Sequence, residues 1–119
     1  VDNVENSAPV GFDTSYWDNT EDKVFLLSSK EISNPAYGFS DNYIKTDSAR
    51  RKKSTDYAKC QGISTSDFDF SEGNCKWLLR TSPINSHAQY SVAFDGVSVN
   101  TEQTHFNALG IVPAMNIKL

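Results

Sequence analysis

The stretch AQYSVAFDGVSVN, residues 88–100, constrains the fold more than any other part of the chain. Apolar and polar side chains alternate on either side of Asp95-Gly96, a pair suited to a type I′ turn, so the segment predicts an antiparallel hairpin. A lone hairpin is marginal in water and needs further structure against one face. NCKWLLRTSP, residues 74–83, supplies it. Lys76 to Leu79 is expected to form the central strand. Thr81-Ser82-Pro83 stops it, because proline cannot donate to a ladder and restricts the residue before it. Arg80 follows three core-seeking side chains, where an unpaired charge is costly. Its guanidinium is therefore expected to reach carbonyls at loop ends or one carboxylate, as a structural clamp.

Upstream, Val24 to Leu27 is an apolar run of strand length, and Ser28 with Glu31 makes an S-x-x-E capping box. A strand is expected to pass directly into a short helix that stops near Asn34-Pro35. Further helical turns are predicted from Asp47 to Lys53 and from Ser54 or Thr55 to Cys60, the second closing near Gly62. LGIVPAMNIKL at the end predicts a terminal strand broken at Pro113, which marks an edge or a bulge. Residues 1–22 scatter Val4, Val10, Phe12, Tyr16 and Trp17 without a lasting period, and are expected to form an irregular arm.

The 119 residues suit one domain, 1–119, able to bury about two-thirds of its unfolded surface. Apolar residues at 38%, charged residues at 22% and fourteen aromatics point to an α+β protein: a small mixed or antiparallel sheet, short helices and long loops. The net charge of −4 disfavours nucleic acid, whose binding needs clustered Lys and Arg. No apolar run reaches the roughly 18 residues that would span a bilayer, so no membrane insertion is expected. The polar opening VDNVENSAPVG has neither an initiator Met nor a leader; the expectation is an excised or truncated part of a longer chain with other domains.

The residues that could carry chemistry are few. His87 and His105 sit in predicted loops with no G-x-S-x-G elbow, so no catalytic residue is assigned and no enzyme is expected. DFDFSEGN offers Asp67, Asp69, Ser71 and Glu72 as oxygen ligands. Its glycine is out of register and a terminal bidentate Glu is missing, so neither a metal nor a cofactor is expected. ARRKK at 49–53, extended by Lys45 and Lys59, reads as a solvated helical face, with an anionic ligand site as the competing reading. Cys60 and Cys75 enclose fourteen residues, and a disulfide there would stabilise by about 3 kcal/mol. Free buried thiols are the alternative.

Five blocks occur in order over residues 20–119: TEDKVFLLSSKEI, STDYAKCQG, WLLRTSP, AQYSVAFDG and LGIVPAMNI. Together they resemble the signatures of a bacterial domain family of unknown function, with motifs like DKVFLLS, TDYA, WWLRSP, an A-x-x-V-x-x-x-G hairpin and GVRPAL. That family is common in secreted and cell-surface proteins of Gram-positive gut bacteria. The resemblance implies a fold similar to the C-type lectin-like fold, in the branch shared with sulfatase-modifying (formylglycine-generating) enzymes. Fold alone does not confer function. Two departures stand out. Val112 takes the place where the family usually has Arg, so a contact through that Arg is absent, and the family's W-L-N-type segment is not found before Val1. The calcium-and-sugar triplets of C-type lectins are missing as well. In the formylglycine-generating enzymes the reactive cysteine pair lies near the C-terminal end, whereas Cys60 and Cys75 lie upstream of the hairpin, as a structural disulfide would.

The resulting expectation is a non-catalytic recognition or adhesion module, secreted from or displayed on a bacterial cell, that binds a glycan or protein through exposed loops. Its candidate face draws on Asn85, Ser86, His87, Gln89 and Tyr90, with Asn100, Glu102, Gln103, His105 and Asn107. Such residues supply directional hydrogen bonds and a stacking surface. Trp77, Arg80, Cys60 and Cys75 are assigned structural roles. The competing readings are an enzyme or enzyme fragment related to sulfatase-modifying proteins, and a spacer in a multidomain adhesin.

Overall fold

The computed structural model describes residues 20–67, 72–81, 88–97, 100–103 and 108–118. The expected irregular arm, apart from its last three residues, lies outside them. Strand β1, Phe25–Leu26, leaves the apolar run and leads into the capping box. The box forms in both directions: the Ser28 amide donates to Glu31 Oε2 at 2.8 Å and the Glu31 amide donates to Ser28 Oγ at 3.1 Å. It starts only a single 3₁₀ turn, Glu31–Ser33, because Asn34-Pro35 follows and Asn34 caps a second such turn, Pro35–Tyr37.

The helix expected from Asp47 to Lys53 is corrected. Asp47 caps a 3₁₀ turn of three residues, Ser48–Arg50, and the chain then extends into β2, Lys52–Lys53. β2 pairs antiparallel with β3, Asn74–Cys75, and that pairing draws Lys52 and Lys53 out of helical conformation. Helix α1, Asp56–Cys60, starts at Thr55, whose side chain accepts from the Ala58 amide, and Gly62 follows it at φ 90°.

The strand expected at 76–79 is found shortened, as residues 77–78, and a separate strand precedes it. β3 belongs to the pairing with β2, whereas β4, Trp77–Leu78, pairs with β5, Ala88–Val92. Lys76 is where the chain changes partners. β5 pairs in turn with β6, Asn100–Gln103, giving a sheet of order β4-β5-β6. On its other side β4 is bridged to Gly110: the Leu78 amide donates to the Gly110 carbonyl at 3.0 Å, and the Gly110 amide to the Lys76 carbonyl at 2.7 Å. β7, Pro113–Ala114, pairs antiparallel with β1, with Pro113 opposite Leu26. The molecule is thus α+β, with small antiparallel sheets and short helices.

Ile32, Trp77, Leu79 and Val92 form the buried core, with Leu27, Phe39, Tyr90 and Val112 packed against it. Val112, at the position where an arginine was the family expectation, contributes apolar packing. None of the helices among the described residues is long and apolar enough to cross a membrane.

Candidate functional site

The hairpin turn differs in type from its expectation. A type I′ turn needs positive φ at both central residues, yet no described residue other than glycine has positive φ. The Gly96 amide donates to the Ala93 carbonyl at 3.1 Å and the Ala93 amide to the Val97 carbonyl at 2.8 Å. Gly96 itself sits at φ 90°. This is a three-residue connection in which a tight turn is followed by a left-handed glycine. Asp95 Oδ1 accepts from the Val97 amide at 3.1 Å and holds the turn from inside.

Three side chains from elsewhere grip successive carbonyls of that turn. Asn74 Nδ2 donates to Phe94, Arg51 Nε to Asp95 and Arg50 Nε to Gly96, at 2.9, 3.1 and 2.7 Å. The Arg50 contact corrects the reading of 49–53 as a solvated face, because Arg50 is completely buried. An arginine carries five N–H donors, and each of these finds a carbonyl: Gly96, Ile32, Ser40, Asn42 and Lys45. The Asp47 carboxylate, 3.6 Å away, balances the charge and also accepts from the amides of Ser40 and Ala49. Burial lowers the tendency of Arg50 to stay protonated, and Asp47 opposes that. One guanidinium therefore organises the 40–45 loop, the end of the first 3₁₀ turn and the hairpin turn.

Arg80 performs a similar service on the other side of the core. Its Nη1 donates to the Leu26 carbonyl at 2.8 Å and to Glu31 Oε2, and its Nη2 donates to Glu31 Oε1 at 3.0 Å. The Phe25 ring lies 5.8 Å from the guanidinium carbon. Glu31 thus serves both the capping box and the clamp.

Of the ten candidate ligand residues, β5 carries Gln89 and Tyr90, and β6 carries Asn100, Glu102 and Gln103. The register brings Gln89 opposite Glu102 and Tyr90 opposite Thr101. Gln89 and Tyr90 are adjacent on a strand and so point to opposite faces of the sheet. Tyr90 packs against the core, and burial pushes its phenol up, with Tyr43 adding to the shift. Asn85, Ser86, His87, His105 and Asn107 lie outside the described residues. Sequence reasoning missed Arg50, which the flanking cations of the basic run disguised.

The expected disulfide is not formed. Both cysteines are free, Cys60 exposed at the end of α1 and Cys75 buried. The Cys75 thiol donates to the Lys52 carbonyl at 3.5 Å, and Gly110 packs so closely that an added Cβ would lie 3.2 Å from its sulfur. Pairing of β3 with β2 turns this sulfur into the interior. Burial pushes the Cys75 thiol up. Among the described residues, no cluster of His, Cys, Asp and Glu could hold a metal ion; Asp69 and Ser71 lie outside them.

What these elements define is a small α+β domain whose loops and hairpin are fastened by arginine side chains, the buried Arg50 foremost. The whole chain, residues 1–119, matches a domain of unknown function, DUF6273, and belongs to that family. Neither the curated proteins nor the solved structures contain a match.

Proposed function

We propose that the protein is a non-catalytic recognition module, secreted from or displayed on a bacterial cell, which binds a glycan or a protein through loops on a C-type lectin-like scaffold. The observation that carries this reading is the clamped hairpin. Its turn is fastened at three successive carbonyls by Asn74, Arg51 and Arg50, while Gln89, Glu102 and Gln103 lie toward its opposite end. A polar strand pair held from a fixed base loses little freedom on meeting a ligand, and preorganisation of this kind is what converts modest contacts into affinity.

The competing reading is an enzyme or enzyme fragment related to the sulfatase-modifying proteins, which would work through a reactive thiol. The raised Cys75 thiol weighs against Cys75 as that nucleophile, since reactive cysteines occupy exposed, electropositive sites that lower their pKa, and leaves the exposed Cys60 as the thiol this reading would need. A glycan array run beside a pull-down from mucosal extract tests the recognition reading. The expected result is a ligand whose binding is lost in Gln89→Ala and Glu102→Ala proteins that still fold. Binding unaffected by those changes, or absent from both screens, counts against it.

A further inference from the structure

The pairing of Phe25 with Ala114 and of Leu26 with Pro113 assigns the two faces of the β1–β7 ribbon. Pleating puts Leu27 and Val112 on the inner face, where they pack against the core, and turns Val24, Leu26, Ile111, Pro113 and Met115 the other way. That outer face lies open. Val24, Ile111 and Met115, with Ile117 just past the strand, each leave more than half of their surface in water. Together with the exposed Pro113 they make an apolar patch on the order of 500 Å², near the upper end of what a monomer leaves uncovered.

We propose that this face is where two copies of the chain meet, ribbon against ribbon about a two-fold axis. Charge selects a second copy as the occupant. Past the open end of the ribbon both strands run into exposed charges, Glu21, Asp22 and Lys23 from one and Lys118 from the other, two of each sign. A rim so balanced neither draws a strongly acidic or basic partner nor repels its own copy, although the whole chain carries a net charge of −4. Two such faces remove on the order of 1,000 Å² from water, the least that a specific interface needs, so the dimer is a weak one. Because proline cannot donate, the Leu26–Pro113 pair is of the non-hydrogen-bonded kind, and Pro113 turns its nitrogen to the outer edge of β7. An edge without a donor there disfavours a further strand, so the copies stack face to face and close as a pair. The surface belongs to a different sheet from the β5–β6 pair and does not depend on the recognition reading.

The test is sedimentation of the intact protein over a series of concentrations, with amide NMR at the two extremes. A reversible dimer with Kd on the order of 100 μM is expected for an interface of this size, with concentration-dependent shifts centred on the ribbon strands and the residues flanking them. Met115→Glu brings a charge onto the face of both copies at once, and should weaken association about tenfold or more with an unchanged thermal midpoint in dilute solution. Tyr57→Glu, a change at a still more exposed apolar residue on α1, should leave association unaltered. A monomer at every concentration overturns the proposal, whether residues 1–19 of the same chain or nothing at all then covers the face. Association that survives Met115→Glu, that falls equally in Tyr57→Glu, or whose shifts centre away from the ribbon overturns it as well.

Discussion

The indole N–H of Trp77 donates to the backbone carbonyl of Arg50 at 3.0 Å, although the two residues are twenty-seven apart in sequence. Both side chains are buried. The largest core residue thus fixes the position of the backbone from which Arg50 reaches five carbonyls. Core packing and loop conformation meet at that one hydrogen bond.

Arg50→Lys tests how much depends on the guanidinium. Lysine has three donors, so at least two of the five carbonyls must lose their partner, each loss costing about 1–3 kcal/mol. Urea unfolding should show a loss of about 2–5 kcal/mol. A change below about 1 kcal/mol contradicts the five-carbonyl arrangement.

Glu31 and Arg80 should behave as a coupled pair. In a double-mutant cycle of Glu31→Gln and Arg80→Gln, a coupling of about 1–3 kcal/mol is expected, because the pair is largely shielded from solvent. Additive effects would show that each side chain acts alone. Ser28→Ala, which removes only the other half of the capping box, should cost about 1 kcal/mol.

Asp47 gives the acid limb of the stability curve a recognisable owner. Burial pushes its carboxyl up, but the amides of Ser40 and Ala49 and the cations of Arg50 and Arg51 outweigh this and hold it below the usual carboxylate range. A depressed folded-state pKa contributes stability that is complete above the unfolded value, about 3.9, and is lost as pH falls through the folded one. Asp47→Asn should therefore flatten the stability profile below about pH 4, measured by thermal unfolding against pH. An unchanged acid limb removes Asp47 from the account.

The two thiols should label at different rates. Iodoacetamide is expected to modify Cys60 in the native protein and to reach Cys75 only after denaturation, with no mass change on reduction beforehand. Equal native labelling would mean that Cys75 is not sealed by Gly110 and Lys52.

Gly96 and Gly38 form a matched comparison. Both have positive φ, 90° and 84°, but a Cβ at Gly96 would meet the Asp47 carbonyl at 2.2 Å, whereas one at Gly38 meets nothing within 4 Å. Gly38→Ala should cost about 1–2 kcal/mol from backbone conformation alone. Gly96→Ala adds a backbone collision and should cost clearly more in the same unfolding assay.

The parts of this fold legible in the sequence were those in which neighbouring residues do the work. The Ser28–Glu31 box, the Thr55 cap and the Asp95-Gly96 turn depend on side chains a few positions apart, and each is found where its spacing places it. Lys52–Lys53 became a strand because Asn74–Cys75 reaches it across more than twenty residues, an effect no local propensity contains. Arg50 was hidden for the same reason: its five acceptors are spread from Ile32 to Gly96, and backbone carbonyls carry no mark in a sequence. The candidate ligand face was legible only as composition, and the register supplies the pairing of Gln89 with Glu102.

A guanidinium knotted to five peptide oxygens does for this chain what a coordinated ion or a sulfur bridge does for many others of its size. It keeps its charge over the whole working range of pH, no chelator can strip it, and no reductant can open it. The hold that Arg50 has on these loops therefore answers neither to trace metals nor to oxidants.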